Sequence, residues 1–260
     1  LGTAGSVHNA DDLLNETFIV ISGDAITDFD LHEAIRFHQE KNADGTLVLT
    51  RQEIPLDYGV VMTDDNGRIM RFLEKPDWGQ VFSDTINTGI YILEPKIFDL
   101  YDKGVKFDFS NNLFPLMLKN NMNLLGVPLD GYWNDIGNLE EYHKTNFDFL
   151  EDKINLKLNV SKQIDDNIWI EDGVEIADDA ELVGPLYIGE GSTVEKGVYL
   201  EQTIIGKNNI IQQYSSLKQS ILWNNNFIGA RSELRGSILA NNVTLKDKVK
   251  VFDRTAVGKK

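Results

Sequence analysis

The chain has 260 residues, 42% of them hydrophobic and 25% charged, with a formal net charge of −16 and no cysteine. That content supports one large domain or two modest ones, and it excludes disulfides and thiolate metal sites. The acidic balance argues against a nucleic-acid partner, which requires a basic face to neutralise phosphates.

No apolar run is long enough to span a membrane, and no signal-peptide pattern opens the chain. A membrane partner is therefore not expected, and zero cysteines fit a reducing cytoplasm. The opening Leu1-Gly2-Thr3-Ala4-Gly5 has no capped element ahead of it and reads as the middle of a fold. Ala256-Val257-Gly258-Lys259-Lys260 reads as an interrupted repeat. A fragment is expected on both counts.

In chain order, Phe18-Ile19-Val20-Ile21 is a continuous β-favouring run of the kind a buried strand carries. Leu31, Ala34, Ile35 and Phe37 then fall at helical spacing behind Asp30, a suitable N-cap. Thr46–Thr50 reads as a second strand. Val60–Met62 and Arg68–Phe72 flank Asn66-Gly67, a hairpin signal, and Gly89–Leu93 is a further strand. Helical patterns return near 96–102, 108–120 and 138–151, the last starting at Asn138. Strands alternating with helices predict an α/β layered sheet with some antiparallel insertion over residues 1–155.

From 156 to 260 the period changes. Ile170, Ile176, Leu182, Ile188, Val194 and Leu200 recur at every sixth position. The phase slips by one and resumes at Ile205, Ile211, Leu217 and Trp223, with further pieces at Ile228 and Leu234 and at Val243 and Val249. Glycine follows the aliphatic at Ile188-Gly189, Ile205-Gly206, Ile228-Gly229 and Val257-Gly258. A six-residue repeat predicts a parallel β-helix, which buries its core only by stacking coil on coil. Self-association of such a scaffold into a homo-oligomer is expected.

Several polar residues stand at strand ends, where ligands bind in open α/β sheets. Asp24 follows the run at 18–21, and Asp135 sits in Trp133-Asn134-Asp135-Ile136-Gly137. Two carboxylates on sheet-edge loops can share Mg²⁺, a cation that takes carboxylate and phosphate oxygens. Lys75, in Glu74-Lys75-Pro76, is a compact cation suited to a phosphate. Asn87 and Thr88 offer groups for sugar hydroxyls. Each of these, read alone, is equally an ordinary turn or edge residue. His8, His32, His38 and His143 have no metal-ligand spacing. GxSxG, GxxxxGK[ST] and GxGxxG are all absent.

Taken in order, LGTAG at 1–5, FIVISGDAITDFDL at 18–31, YGVV at 58–61, FLEKP at 72–76, NTGIYIL at 87–93 and GYWNDIG at 131–137 resemble the nucleotide-sugar pyrophosphorylase (nucleotidyltransferase) family. The likeness is greatest to its mannose-1-phosphate guanylyltransferase type. The resemblance implies an incomplete Rossmann-like nucleotidyltransferase sheet followed by a left-handed parallel β-helix of hexapeptide repeats. It implies that Asp24 and Asp135 hold a catalytic Mg²⁺ and that Lys75 contacts the sugar-linked phosphate. Glu74, Asn87, Thr88 and the backbone at Gly59 would meet the sugar, and Gly2 and Thr3 would lie near the nucleobase or ribose. Thr88 replaces the alanine expected between Asn and Gly, which puts its sugar contact in doubt.

The implied substrates are a nucleoside triphosphate and a sugar 1-phosphate, with GTP and mannose 1-phosphate first and glucose 1-phosphate with ATP, UTP or dTTP as the alternative. The glycine-rich loop that cradles the triphosphate in that family is absent, so little activity is expected of the chain alone. A non-catalytic regulatory subunit is a competing reading. An acyltransferase is disfavoured, because residues 152–260 contain no histidine.

Overall fold

The computed structural model describes residues 1–156, 162–165, 167–252 and 256–257. They form two compact units, Leu1–Asp135 and Ile136–Lys260.

The first unit opens with a short helix, α1 (Thr3–Val7), and a 3₁₀ turn. Strands β1 (Phe18–Ile21) and β2 (Ala25–Thr27) follow, then α2 (Leu31–Glu40). Asp30 caps α2 as its sequence predicts, its carboxylate accepting from the His32 N–H at 3.0 Å. Next come β3 (Gly45–Arg51), β4 (Gly59–Thr63), β5 (Ile69–Glu74) and β6 (Thr85–Leu93). A π turn leads into α3 (Phe114–Lys119), and β7 (Leu124–Pro128) and β8 (Trp133–Asp135) close the unit.

The main sheet runs β5-β4-β6-β3-β7, with β1 also on β6. Only β3 and β7 pair in parallel; β6 is antiparallel to β1, β3 and β4. Antiparallel pairing is therefore more extensive than a few inserted strands. One core cluster centres on Leu47, Leu93, Phe114 and Met117, and another on Val48, Ile86, Ile90 and Trp133. Successive residues of β3 and β6 feed opposite clusters, because a strand alternates its faces.

β1 departs from its sequence pattern. Phe18 is buried, but Ile19 and Ile21 are 40% and 50% exposed. The strand has one partner, β6, among the described residues, so an unbroken apolar run here does not mark a strand covered on both faces.

The second unit begins with α4 (Leu139–Leu150), whose Asn138 cap accepts from the Glu141 N–H at 2.9 Å. His143 on this helix meets the Gln219 carbonyl at 2.8 Å, and the Trp223 indole donates to the Tyr142 hydroxyl at 3.0 Å. The rest is a β-helix. Thr193, Ile210, Phe227 and Thr244 stack in parallel register on one side, and Tyr199, Ser216, Glu233 and Lys250 on another. Both columns step by 17 residues, one fewer than three hexapeptides.

The first coils keep the full 18-residue step, as in Ile170 on Ile188 and Glu181 on Tyr199; the single phase slip in the sequence then recurs in the coils that follow Leu200. The buried column runs Ile205, Ile211, Leu217, Leu222, Ile228, Leu234 and Leu239, with five residues instead of six from 217 to 222 and from 234 to 239. The shortened corners carry Gln202, Gln219 and Gly236 at positive φ, which tightens the turn. Trp223 is consequently off register and 42% exposed; Leu222 takes the inward position. Leu245 and Val251, rather than Val249, continue the core column.

Two polar ladders fill the other corners. The Asn226 N–H donates to the Asn209 carbonyl oxygen Oδ1 at 2.9 Å, and the Val243 N–H donates to Asn226 Oδ1 at 2.8 Å, each one coil apart. Ser232 and Val249 donate in the same way to Ser215 and Ser232. Val243 is therefore buried as the end of an asparagine ladder. The glycines after the aliphatics fit close coil contact: a Cβ on Gly206 would lie 2.9 Å from the Trp223 carbonyl. Val257-Gly258 falls outside the side chains described.

Asn226 is 2% exposed, and its amide also donates to the Trp223 carbonyl at 3.1 Å. Asn226→Ala strands the Val243 N–H, while the Trp223 carbonyl keeps its bond from the Asn209 amide at 2.8 Å, at a cost of about 1–3 kcal/mol. Denaturant unfolding of the variant should show this loss, with far-UV circular dichroism unchanged before the transition.

Candidate active site

A cleft of about 230 Å³ opens in the first unit beside the paired strands β4, β5 and β6. Gly59, Glu74, Lys75, Asn87, Thr88 and Asp135 all line it, so six of the nine residues singled out in the sequence come together. Asp24 is not in the wall, but its neighbours Ser22 and Ala25 are. Ala25 pairs directly with Asp135 across β2 and β8. That pairing brings Asp24 and Asp135 to the same end of the two-stranded ribbon. Asp24 is exposed and accepts from the Ser22 hydroxyl at 2.6 Å.

Gly59 and Glu74 are cross-strand partners in the β4–β5 hairpin. Glu74 Oε2 is buried with no hydrogen-bond partner among the described residues. Burial pushes this carboxyl above its ordinary range, and the Asp108 charge adds to the rise; a hydrogen bond from Ser110 and the charge of Lys75 act against it. Glu74 lines the cleft, and a half-buried carboxylate with an unused oxygen at such a position has unmet capacity to accept a hydrogen bond.

Lys75 follows at φ 44°, a left-handed conformation that costs a lysine roughly 1–2 kcal/mol. Its N–H donates to the Tyr58 carbonyl at 3.1 Å, which ties the turned segment to the start of β4. The side chain is exposed.

β6 supplies the opposite wall. The Asn87 amide donates to the Tyr91 hydroxyl at 3.0 Å, and its carbonyl oxygen accepts from the Gly89 N–H at 3.1 Å. Both oxygen and nitrogen of this 8%-exposed side chain are thus held in a fixed orientation. The Tyr91 hydroxyl pKa is pushed up to about 12, chiefly by burial, so it stays a neutral donor. The Thr88 hydroxyl points elsewhere: it donates to the Val48 carbonyl at 2.7 Å. The Thr88 carbonyl in turn accepts from the Trp133 indole at 3.1 Å, and Trp133 meets Tyr58 edge-on at 5.3 Å.

Gly2 and Thr3 do not line the cleft. The Thr3 hydroxyl donates to Asp108 at 2.8 Å and accepts from the Phe109 N–H at 3.0 Å. A Cβ on Gly2 would lie 2.4 Å from the Phe107 carbonyl. Burial works upward on the Asp108 carboxyl, but hydrogen bonds from Asn111 and Thr3 outweigh it and hold it below the usual range.

Sequence reasoning missed Tyr91, Ser110 and Trp133. Tyr91 shares a strand face with Asn87, and Trp133 stands in the same stretch as Asp135, so both had a signal. Ser110 had none, since only the packing of its turn against β5 brings it to Glu74.

A family model described as nucleotidyl transferase matches residues 1–152. The chain belongs to the nucleotidyl transferase family. A second model, described as EIF2B subunit epsilon LbH domain, matches residues 165–260, in agreement with the β-helix. Among curated relatives, a UTP–glucose-1-phosphate uridylyltransferase of Synechocystis sp. is 35% identical over 206 residues, 76% of this chain and 53% of that protein. A mannose-1-phosphate guanyltransferase beta-B of Xenopus laevis is 39% identical over 55% of this chain and 39% of its own length. A mannose-1-phosphate guanylyltransferase of Mycobacterium tuberculosis is 30% identical over 79% and 56%. The chain spans about half the length of these relatives, or less. No helix among the described residues is long and apolar enough to cross a membrane.

A Cβ on Gly59 would sit 2.7 Å from Glu74 Oε2 and 2.8 Å from the Phe72 ring. Gly59→Ala should therefore displace Glu74 and lose about 1–3 kcal/mol of stability, the usual cost of overpacking; thermal melts measure it.

Glu74→Gln tests the electrostatics. The raised folded pKa means that ionising Glu74 removes stability as pH climbs from the ordinary carboxylate range through the folded value. The variant should be more stable than the parent at neutral pH, by at most about 1 kcal/mol for a partly solvated group. The gain should vanish in acid, where Glu74 is protonated. Melts across pH 3–8 would show this convergence.

Proposed function

We propose that this chain carries the sugar-phosphate side of a sugar-1-phosphate nucleotidyltransferase, with mannose 1-phosphate and GTP as substrates. The observation that carries the reading is the meeting of Lys75, Glu74, Asn87 and Asp135 in one cleft, with Asp24 beside it. The reaction would be an in-line displacement. A phosphate oxygen of the sugar 1-phosphate attacks the α-phosphorus of the nucleoside triphosphate, the bond to the bridging oxygen breaks, and pyrophosphate leaves. This needs no protein nucleophile, only positioning and neutralisation of charge.

In this reading Lys75 holds the sugar-linked phosphate as a point charge. Glu74 Oε2 accepts from a sugar hydroxyl, which satisfies its orphaned oxygen, and Asn87 offers a second polar contact already fixed by Tyr91 and Gly89. Trp133 and Tyr58 wall the cleft and limit water. Thr3 acts indirectly, by fixing Asp108.

Asp24 and Asp135 would hold Mg²⁺. No group of three or more His, Asp or Glu suited to a metal occurs among the described residues. Two carboxylates nonetheless fit this cation, which is commonly held by one or two carboxylates together with substrate phosphates and water. When bound, it would offset the charge on the reacting phosphates.

The guanylyltransferase relatives support mannose 1-phosphate and GTP. The Synechocystis relative, 35% identical over 76% of this chain, supports glucose 1-phosphate with UTP as the second reading. The deciding assay follows pyrophosphate release by the full-length protein, with mannose or glucose 1-phosphate paired with GTP, UTP, ATP or dTTP. Release from mannose 1-phosphate and GTP is expected. Asp24→Ala and Asp135→Ala should each lower kcat by about 10²–10³, the scale of losing a group that stabilises transition-state charge. Lys75→Ala should chiefly raise KM for the sugar phosphate. Absence of release with every pair, from a folded protein, would overturn the catalytic reading in favour of a regulatory subunit.

A further inference from the structure

A hollow of about 770 Å³ lies on the outer face of the β-helix. Its wall includes Arg231, Arg235, Lys218, Tyr214 and Phe252, together with Glu201 and Glu233. A concentration of cations is unexpected on a chain of net charge −16.

The two glutamates make their ion pairs with lysines, although the Arg235 charge also acts on Glu201 from a distance. Glu201 pairs with Lys218 at 2.8 Å, and Glu233 pairs with Lys250 at 2.8 Å. No ion pair to Arg231 or Arg235 occurs among the described residues. The stacking register makes this costly: Arg235 sits directly on Lys218, with Phe252 on its other side. Like charges directly opposite on neighbouring strands destabilise a sheet. Arg231 enters the same hollow from a corner residue at φ 58°, a conformation with its own cost for a non-glycine residue. Tyr214 and Phe252, 50% and 44% exposed, add two aromatic faces. An anion in the hollow would offset the repulsion between Arg235 and Lys218.

We propose that this hollow binds a phosphate monoester dianion, clamped by Arg231 and Arg235. Guanidinium forks match phosphate oxygens in pairs, which a lysine does not. The hollow is of the size that holds a small molecule. The site lies within the β-helix unit and shares no lining residue with the cleft at Lys75. Its ligand shares one chemistry, a phosphate dianion, and comes from a sugar phosphate or from a nucleotide whose base stacks on Tyr214 or Phe252.

The test is calorimetric titration of the full-length protein with inorganic phosphate, mannose 1-phosphate and GMP. It is done in a Lys75→Ala background, so that the cleft cation does not contribute. Saturable binding is expected, weakened about tenfold or more, roughly 1.4 kcal/mol, by Arg231→Gln and by Arg235→Gln. Both residues are exposed, so the variants should keep the parent's melting behaviour. Arg235→Lys, which keeps the charge and loses the fork, should bind at an intermediate level and guards against a misfolded glutamine variant. Tighter binding of GMP, lost in Tyr214→Ala, would assign the ligand to the nucleotides; equal binding of all three would assign it to the phosphate alone. Binding unchanged in both glutamine variants would overturn the proposal, as would no saturable binding of any probe at millimolar concentration.

Discussion

The first unit depends on β6. Its nine residues, Thr85–Leu93, are hydrogen-bonded to β1, β3 and β4 and sit at the heart of the sheet. Ile86, Ile90, Ile92 and Leu93 are almost wholly buried, and a slide by one residue would send each of them into the opposite core cluster. The same fixed strand carries Asn87, Thr88 and Tyr91. Their positions in the cleft follow from the packing of the core, and the site inherits the rigidity of the sheet rather than the mobility of a loop.

The cleft departs from what stability alone would select. Glu74 is half-buried with one oxygen unpartnered among the described residues, and Lys75 takes a left-handed backbone conformation. Gly59 leaves the space that Glu74 occupies. Strain and unsatisfied polar groups concentrate where a protein must meet a ligand. Three such features within one β-hairpin and its exit make the β4–β5 hairpin the most informative element of the unit.

In the β-helix the governing constraint is stacking. Each coil must present its aliphatic side chains, and its corner Asn or Ser, directly over those of the coil before. Unpaired corner amides in that narrow interior would be costly, and the ladders through Asn209, Asn226, Ser215 and Ser232 satisfy them. The outer face has no such obligation. That freedom is what allows Arg235 to stand on Lys218, a stack that core packing does not require.

Much of this was legible from residues alone. The caps at Asp30 and Asn138, the hairpin at Asn66-Gly67 and the change of period after residue 155 are local signals, and local chemistry decides them. The β-helix was visible because six-residue spacing has a direct meaning for a stacked coil. Its true 17-residue coil was not, because the shortening depends on corner geometry at Gln202, Gln219 and Gly236, and so Trp223 was assigned inward where Leu222 belongs. The polar residues of the cleft could be listed from sequence but not assembled. Only tertiary structure paired Gly59 with Glu74, placed Ser110 against that carboxylate, turned the Thr88 hydroxyl toward Val48 and joined Thr3 to Asp108. The sequence determines what each segment prefers, since propensity, capping and periodicity act over a few residues. The site is decided by contacts between segments far apart in the chain, which exist only once the sheet has closed.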